Sequence, residues 1–168
     1  MSVPSKILKE AARRLTAICC DNGYSFDLSD GGIHLPFQDG EEYTPEHLTM
    51  IVTGPDEIPR EPELDRPGNP PAIAYRMPVM VECILIPSRW QCEHTWDEMS
   101  SIVLTNISIA ITISNAATWH QFGGLCVNAE IQSPQYQRPE NDGGIGSVKF
   151  IVDAFFRVSE INPTIIRG

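Results

Sequence analysis

The start of the chain has the hydrophobic periodicity of an amphipathic helix. Apolar residues recur at intervals of three and four, and charged residues fall on the opposite face. The predicted buried face comprises Ile7, Leu8, Ala11, Ala12, Leu15, Ile18 and Cys19, and the predicted solvent face comprises Lys6, Lys9, Glu10, Arg13 and Arg14. The pattern predicts a helix over residues 5–20. Asp21-Asn22-Gly23 should end it, because Asn and Gly suit the left-handed residue at a helix terminus.

Later segments have the alternating or continuous apolar pattern of strands. Strands are predicted at residues 47–53, 73–86, 125–132 and 147–158, with a short one at 33–37. Pro78 indicates an edge position or a bulge, because proline has no N–H for a central ladder. The two faces of the 73–86 strand are predicted to carry Met77, Val79, Val81 and Cys83 on one side and Met80, Glu82 and Ile84 on the other. Residues 141–144 predict a turn before the last strand.

Residues 95–114 carry two conflicting patterns. Thr95 and Glu98 have the spacing of a capping box at a helix start. Residues 107–114, however, alternate strictly and are β-branched, which favours a strand. We favour the helix, because one helical register continues from the cap to Asn115 without a turn residue. Its members are Trp96, Met99, Val103, Ile107, Ala110, Ile111 and Ser114.

A long segment between two predicted strands lacks the composition of a helix or a central strand. Residues 54–71 contain six prolines with acids between them. The order of elements therefore predicts an α+β fold: a mixed, largely antiparallel sheet, two helices packed on one face, and a long Pro-rich loop. At 168 residues the chain is expected to form a single domain over residues 1–168.

The negative charge is concentrated in one stretch. The chain has 22 acids and 12 bases, a net charge of −10. Residues 21–65 hold 12 of the acids and one base, whereas the remaining residues carry a net charge of +1. The balance argues against a dedicated binder of the DNA backbone, which needs clustered Lys and Arg. The sequence instead describes a neutral scaffold with an acidic surface.

Motifs for catalysis, cofactors or metals are weak in this sequence. The glycine-rich sites lack a P-loop lysine and a dinucleotide fingerprint, so we expect no cofactor. Cys92 and His94 form the one close Cys–His pair, which is poor evidence for a metal site. The five cysteines lack CxxC spacing and are expected to be reduced and mostly buried. We expect a non-enzymatic protein of the cytosol, without a signal peptide or a membrane span.

Several local sequences occur in the order found in one family of phage proteins. They are the amphipathic helix 7–18, the strand 48–54 ending in glycine, the strand 79–86 after a variable loop, the capped helix leading to Trp119, the segment 123–131, and the last strand and turn 148–163. This order resembles the tail-terminator family of long-tailed bacteriophages, the minor tail protein U-like proteins. The acidic insertion 54–72 and the strand-like residues 107–114 depart from it.

The resemblance implies an α+β subunit that closes into a homohexameric ring on the tail tube. Such a ring stops tube polymerisation and offers its other face to head-completion or connector proteins. The protein would then belong to the tail or neck of the virion and assemble in the host cytoplasm. Two alternatives stay open: a tail-completion or head-to-tail connector subunit at another level of the neck, and a small cytosolic enzyme with an unrecognised Cys/His site.

The acidic stretch supplies the candidate functional residues. A negative surface facing a channel would keep DNA phosphates from adhering, so that DNA passes without specific binding. We expect part of the stretch to face either the lumen of a ring or a basic partner, and we expect neutralisation of Glu57, Glu61, Glu63 and Asp65 to alter tail assembly. The candidates are Glu41, Glu42, Asp56, Glu57, Glu61, Glu63 and Asp65.

Overall fold

The computed structural model describes residues 2–26, 32–35, 48–68, 71–86, 95–113, 119–141 and 144–159. They form two α-helices, six strands and short 3₁₀ turns. The predicted α+β fold is confirmed: a mixed, largely antiparallel sheet carries both helices against one face. No helix in these ranges is both long enough and apolar enough to span a membrane.

The first helix, α1, spans Val3–Leu15 and is shorter than its periodicity predicts. The Ser2 hydroxyl caps its start by accepting a hydrogen bond from the backbone N–H of Ser5. After Leu15, Ala17 and Ile18 donate to carbonyls three residues earlier, which tightens the last turn and ends the α-helix. The predicted stop at Gly23 is a left-handed residue with φ +83°, but it ends a separate 3₁₀ turn, Cys20–Asn22.

Arg14 was predicted on the solvent face of α1, but this prediction is wrong because only 3% of the Arg14 surface is exposed. Its guanidinium donates hydrogen bonds to the carbonyl oxygens of Ile111 and Trp119, at 2.6 and 2.9 Å, and to the Glu10 carboxylate at 3.0 Å. It also lies 4.4 Å from the centre of the Phe122 ring. These acceptors replace the water that a charged group loses on burial. Periodicity missed the contact because most of the partners lie about a hundred residues further along the chain.

The second helix, α2, spans Trp96–Ile113 and begins at the predicted capping box. The backbone N–H of Thr95 donates to the Glu98 carboxylate at 2.8 Å, and the N–H of Glu98 donates to the Thr95 hydroxyl at 3.3 Å. Residues 107–113 are helical, which confirms the predicted helix over the competing strand. Ser114 lies outside the described residues.

The six strands form one sheet in the order β1-β2-β3-β6-β4, with β5 also paired to β6. They are β1 Ile33–His34, β2 Leu48–Thr53, β3 Ala72–Leu85, β4 Asn128–Ile131, β5 Gln135–Gln137 and β6 Gly146–Ser159. The pair β1–β2 is parallel and the other pairs are antiparallel. Since β3 pairs with every residue of β6, β4 and β5 both lie on the opposite side of β6.

Both faces of β3 agree with the predicted alternation. Met77, Val79, Val81 and Cys83 are buried, whereas Met80, Glu82 and Ile84 are half-buried. Pro78 lies just beyond the end of β2, which pairs with β3 only from Met80 onward. The N–H groups of Ala74 and Arg76 point to the β2 side of β3, where they donate to the loop that follows β2. Pro78, which has no N–H, therefore falls in the gap between β2 and that loop.

The chain between α2 and β6 differs most from its prediction. The strand predicted at 125–132 is confined to β4, because residues 119–124 form a 3₁₀ segment before it. The Cys126 N–H donates to the Gln121 carbonyl at the end of this segment. The strand β5 was not predicted, because its three residues are all exposed and give no apolar alternation. The turn before β6 is confirmed by a hydrogen bond of 2.9 Å that the Gly144 N–H donates to the Asn141 carbonyl.

One hydrophobic core joins α1, α2 and the inner face of the sheet. Its residues on β6 alternate, as the sequence of that strand predicts: Val148, Phe150, Val152, Ala154, Phe156 and Val158. The Trp96 ring lies directly against the backbone of Gly146, so that a side chain at this glycine would clash. Trp96 therefore packs the start of α2 against the start of β6.

Candidate interaction surface

The acidic loop, residues 54–68, lies along the part of β3 that β2 leaves unpaired. The Arg76 N–H donates to the Pro59 carbonyl at 3.0 Å, and the Glu61 N–H donates to the Ala74 carbonyl at 2.9 Å. Arg66 and Ala72 exchange two backbone hydrogen bonds, at 2.9 and 3.0 Å. The Pro-rich segment thus takes the place of a strand without forming one, and its backbone is fixed to the sheet.

Asp65 completes this attachment with its side chain. Its carboxylate accepts a hydrogen bond from the Ala74 N–H at 2.7 Å and another from the Arg60 guanidinium at 2.6 Å. These two hydrogen bonds, with the positive charges of Arg60 and Arg157, hold the pKa of Asp65 below its ordinary value. The carboxylate therefore substitutes for a strand carbonyl, and Asp65 positions the loop.

A second strand also holds the acidic loop. Arg157 of β6 donates from Nε to the Leu64 carbonyl at 2.7 Å. Leu64 ends a short 3₁₀ turn, Pro62–Leu64, and the last carbonyl of such a turn needs a partner from outside it. The tip of the loop is thereby held by β6 while its flanks are held by β3.

The structure divides the predicted acidic candidates into groups with different surroundings. Asp56, Glu57 and Glu63 are exposed, whereas Glu61 and Asp65 are half-buried. Glu61 lies near Arg76 and helps to raise the pKa of that guanidinium, whose main partner is Asp153. Glu41 and Glu42 lie outside the described residues. Three of the seven candidates therefore present carboxylates to a partner from a fixed backbone.

Asp153 is an acid that sequence reasoning did not single out. It lies on the strand face away from the helices, yet its residue is only 2% exposed. Its Oδ2 accepts hydrogen bonds from Arg76 and from the Gln132 amide, both at 2.7 Å. The alternation of β6 places Asp153 on the outer face, but no local signal shows that side chains from two other segments cover it. The group joins β3, β6 and the residue that follows β4, and it is structural.

Two of the described cysteines, Cys83 and Cys126, have thiols that are disfavoured as thiolates. Cys83 and Cys126 are buried, and burial raises the pKa of both thiols, that of Cys126 to about 12. Cys19 is half-buried and Cys20 is exposed, and Cys92 lies outside the described residues. Among the described residues no three His, Cys, Asp or Glu side chains are grouped as metal ligands.

The acidic loop is therefore the best-defined candidate surface. It combines a backbone fixed by β3 and β6 with carboxylates that point into solvent. Such a surface suits contact with a basic partner or exclusion of a polyanion, because the charge is displayed without a large entropic cost of ordering. Comparison of the sequence with protein-family models and with curated proteins found no match.

Proposed function

We propose that this chain is a structural virion protein, the tail terminator of a long-tailed bacteriophage. In this role it caps the tail tube as a homohexameric ring, stops tube polymerisation and provides the docking face for head-completion proteins. The double-stranded DNA passes through the ring without specific binding. The proposal rests on the resemblance stated above and on one structural observation, the order and bounds of the elements.

The observation that supports the proposal is that the main segments of the resemblance fall on elements of the fold in the same order. The segment 123–131 is a strand only from Asn128, and residues 160–163 lie outside the described part of the chain. The amphipathic segment is α1, the glycine-ended strand is β2 followed by Gly54, and the capped helix is α2. The long last strand is β6, the partner of β3 along its full length. A β-carbon at Gly54 would lie 2.7 Å from the end of the Met77 side chain, which would have to shift.

The acidic loop supports the same role on physical grounds. A closed ring of more than two identical subunits requires two different contact surfaces on each subunit. It also requires a face for each neighbour along the tail axis and a lumen that does not retain DNA. Exposed carboxylates on a fixed backbone suit the last two requirements, since they repel phosphate and attract a basic partner.

The test is to measure the mass of the purified full chain, alone and after addition of the cognate tail tube protein. A tail terminator is expected to form a particle of six subunits with an axial hole, or to form it at the ends of tubes and halt their growth. Electron microscopy of the tubes gives the second readout. A chain that stays monomeric with tubes present and leaves tube length unchanged contradicts the proposal.

The same experiment separates the connector alternative. A subunit from another level of the neck would form a ring that binds a connector protein and leaves tube growth unaffected. A monomer that binds a metal or a small ligand would instead favour the enzyme alternative. The ring outcomes are read from mass and tube length, and the enzyme alternative is read from a separate metal- or ligand-binding measurement.

A further inference from the structure

Ser147 carries a buried hydroxyl whose hydrogen-bonding capacity is unused. The residue is 6% exposed, and no hydrogen-bond partner reaches its Oγ. A buried polar group without a partner costs free energy, and most buried hydroxyls in folded proteins are therefore hydrogen-bonded. The surroundings of Ser147 indicate which partner it lacks.

The strand register places four polar side chains together on the outer face of the sheet, the face away from the helices. Val148 points into the core, so the residues on either side of it, Ser147 and Lys149, lie on the opposite face. Gln137 of β5 is directly opposite Ser147. Gln135 is directly opposite Lys149. Residues opposite each other in an antiparallel pair share a face, so the four side chains form one polar cluster.

These side chains surround a cavity of about 190 Å³, the β5–β6 cavity. Its described lining residues are Gln135, Tyr136, Gln137, Ser147 and Lys149. One water takes up about 30 Å³ in the liquid, so the cavity has room for a group of several atoms. The three β5 residues are exposed and Lys149 is half-buried, so the cavity is reached from solvent.

The lining of the β5–β6 cavity is rich in hydrogen-bond donors. A lysine ammonium has three, each glutamine carboxamide has two and a serine hydroxyl has one. None of the described lining residues is acidic. Lys149 has an ion-pair partner in Glu82, at 3.4 Å, but Glu82 belongs to β3, on the side of β6 away from β5. Lys149 therefore lies between a carboxylate and the cavity.

We infer that the β5–β6 cavity binds a small oxyanion, a carboxylate or a phosphate-type group. Lys149 supplies the positive charge, and Ser147 and the two glutamine carboxamides donate hydrogen bonds to the oxygens of the ligand. The ammonium of Lys149 repels a metal cation, and an apolar group would leave the buried hydroxyl without a partner. The site is independent of the proposed function, because it requires neither a ring nor a tail tube.

The test titrates the purified full chain with sodium phosphate and, separately, with sodium acetate. Sodium chloride at equal ionic strength is the reference, and calorimetry and thermal unfolding give the readouts. An oxyanion that binds the folded chain raises the unfolding temperature as its concentration rises. Phosphate also stabilises folded proteins in general, so the parent chain is compared with variants of the cavity. Binding of phosphate alone assigns a phosphate-type ligand, and binding of acetate assigns a carboxylate. Binding of neither overturns the inference.

Three variants change the cavity in opposite directions. Ser147→Ala removes the unpartnered hydroxyl and Lys149→Met removes the charge, and each should weaken oxyanion binding about tenfold. Glu82→Gln should strengthen it severalfold, because it removes the carboxylate that competes for Lys149. Lys9→Met is the matched control, since it removes a lysine charge at an exposed site on α1 and should bind like the parent chain. Equal affinity in the parent and the cavity variants overturns the inference, as does an equal loss in the control.

Ser147→Ala also distinguishes an oxyanion from an ordinary water. In chloride the variant should be at least as stable as the parent chain, because the hydroxyl that it removes has no partner. In the presence of the oxyanion the parent chain should become the more stable of the two. A variant that is less stable than the parent by the same amount in both salts would show that water already satisfies the hydroxyl, which contradicts the site.

Discussion

The helix α1 precedes β1 and β2 in the chain, and the acidic loop follows β2. The two are attached to the sheet in opposite ways. Seven residues of α1 are buried, including Arg14, and the helix is held by side-chain packing. None of residues 54–68 is buried, and the loop is held by its backbone, by Asp65 and by Arg157. One face of α1 is therefore committed to the core, whereas Asp56, Glu57 and Glu63 of the loop are exposed.

The largest expected effect comes from removing a core side chain of α1. Leu15 is fully buried, so Leu15→Ala leaves a cavity and should lower the free energy of unfolding by about 2–5 kcal/mol. Lys9→Ala on the exposed face is the control and should change it by less than about 0.5 kcal/mol. Denaturant titration measures both. Equal effects would show that α1 is not held by packing.

A smaller loss is expected from Arg14. Arg14→Met keeps an apolar stem but leaves the carbonyls of Ile111 and Trp119 without their donor, at a cost of about 1–3 kcal/mol in unfolding free energy. The neighbouring Arg13→Met removes only a surface ion pair with Glu10 and should cost less than about 1 kcal/mol. The same titration compares the two variants. If Arg13→Met costs as much as Arg14→Met, the buried contact has no special role.

The third substitution is in the acidic loop, and it should loosen the loop without unfolding the rest of the protein. Asp65→Ala removes the acceptor of the Ala74 N–H, so the loop should be cut several times faster by a protease while the denaturation midpoint changes little. Glu63→Ala, in the same loop but exposed, is the control and should leave the cleavage rate unchanged. A large global loss in Asp65→Ala would mean that the loop belongs to the cooperative core.

The pH dependence of the loop follows from the lowered pKa of Asp65. A carboxylate with a lowered pKa in the folded state stabilises the fold above its ordinary pKa, and this contribution is lost as the pH falls through the lowered value. The Ala74 amide should therefore stay protected from hydrogen exchange at pH 5–7 and lose protection below about pH 4. Protection that falls already between pH 7 and 5 would assign the attachment to another group.

The smallest effect on stability is expected from the exposed acids. Asp56→Asn, Glu57→Gln and Glu63→Gln together should change the free energy of unfolding by less than about 0.5 kcal/mol. The same variant should change docking on the tail axis or the passage of DNA, measured as infectivity or as partner binding. It replaces the four-residue neutralisation that the sequence suggests, because Asp65 also holds the loop. Normal assembly and infectivity would remove the acidic loop from the functional surface.

Regular patterns in the sequence were enough to place the main elements. The helical register of α2 and its Thr95–Glu98 cap outweighed the β-branched run at 107–113, because the cap fixes the phase of the whole helix. The alternation along β3 gave its buried face correctly. These features are local, so they are readable without the fold.

The features that sequence reasoning missed depend on contacts between distant segments. Arg14 is buried because α2 and the turn at 119–124 supply its acceptors, and β5 forms because β6 lies beside it. The acidic loop was expected to be a charged surface, but the strand-like attachment through Asp65 depends on where β2 stops along β3. No spacing within the loop indicates that gap.

The pairing of β3 with β6 also determines how the chain folds. The two strands are joined along fourteen residues each, yet β3 ends at Leu85 and its partner begins only at Gly146. Closing so long a connection is entropically slow, and topologies of this kind fold in milliseconds to seconds. During synthesis on the ribosome, β3 emerges before α2, which packs in the same core, and before β6, its longest partner. Chaperone dependence and aggregation at high expression are therefore expected for this protein.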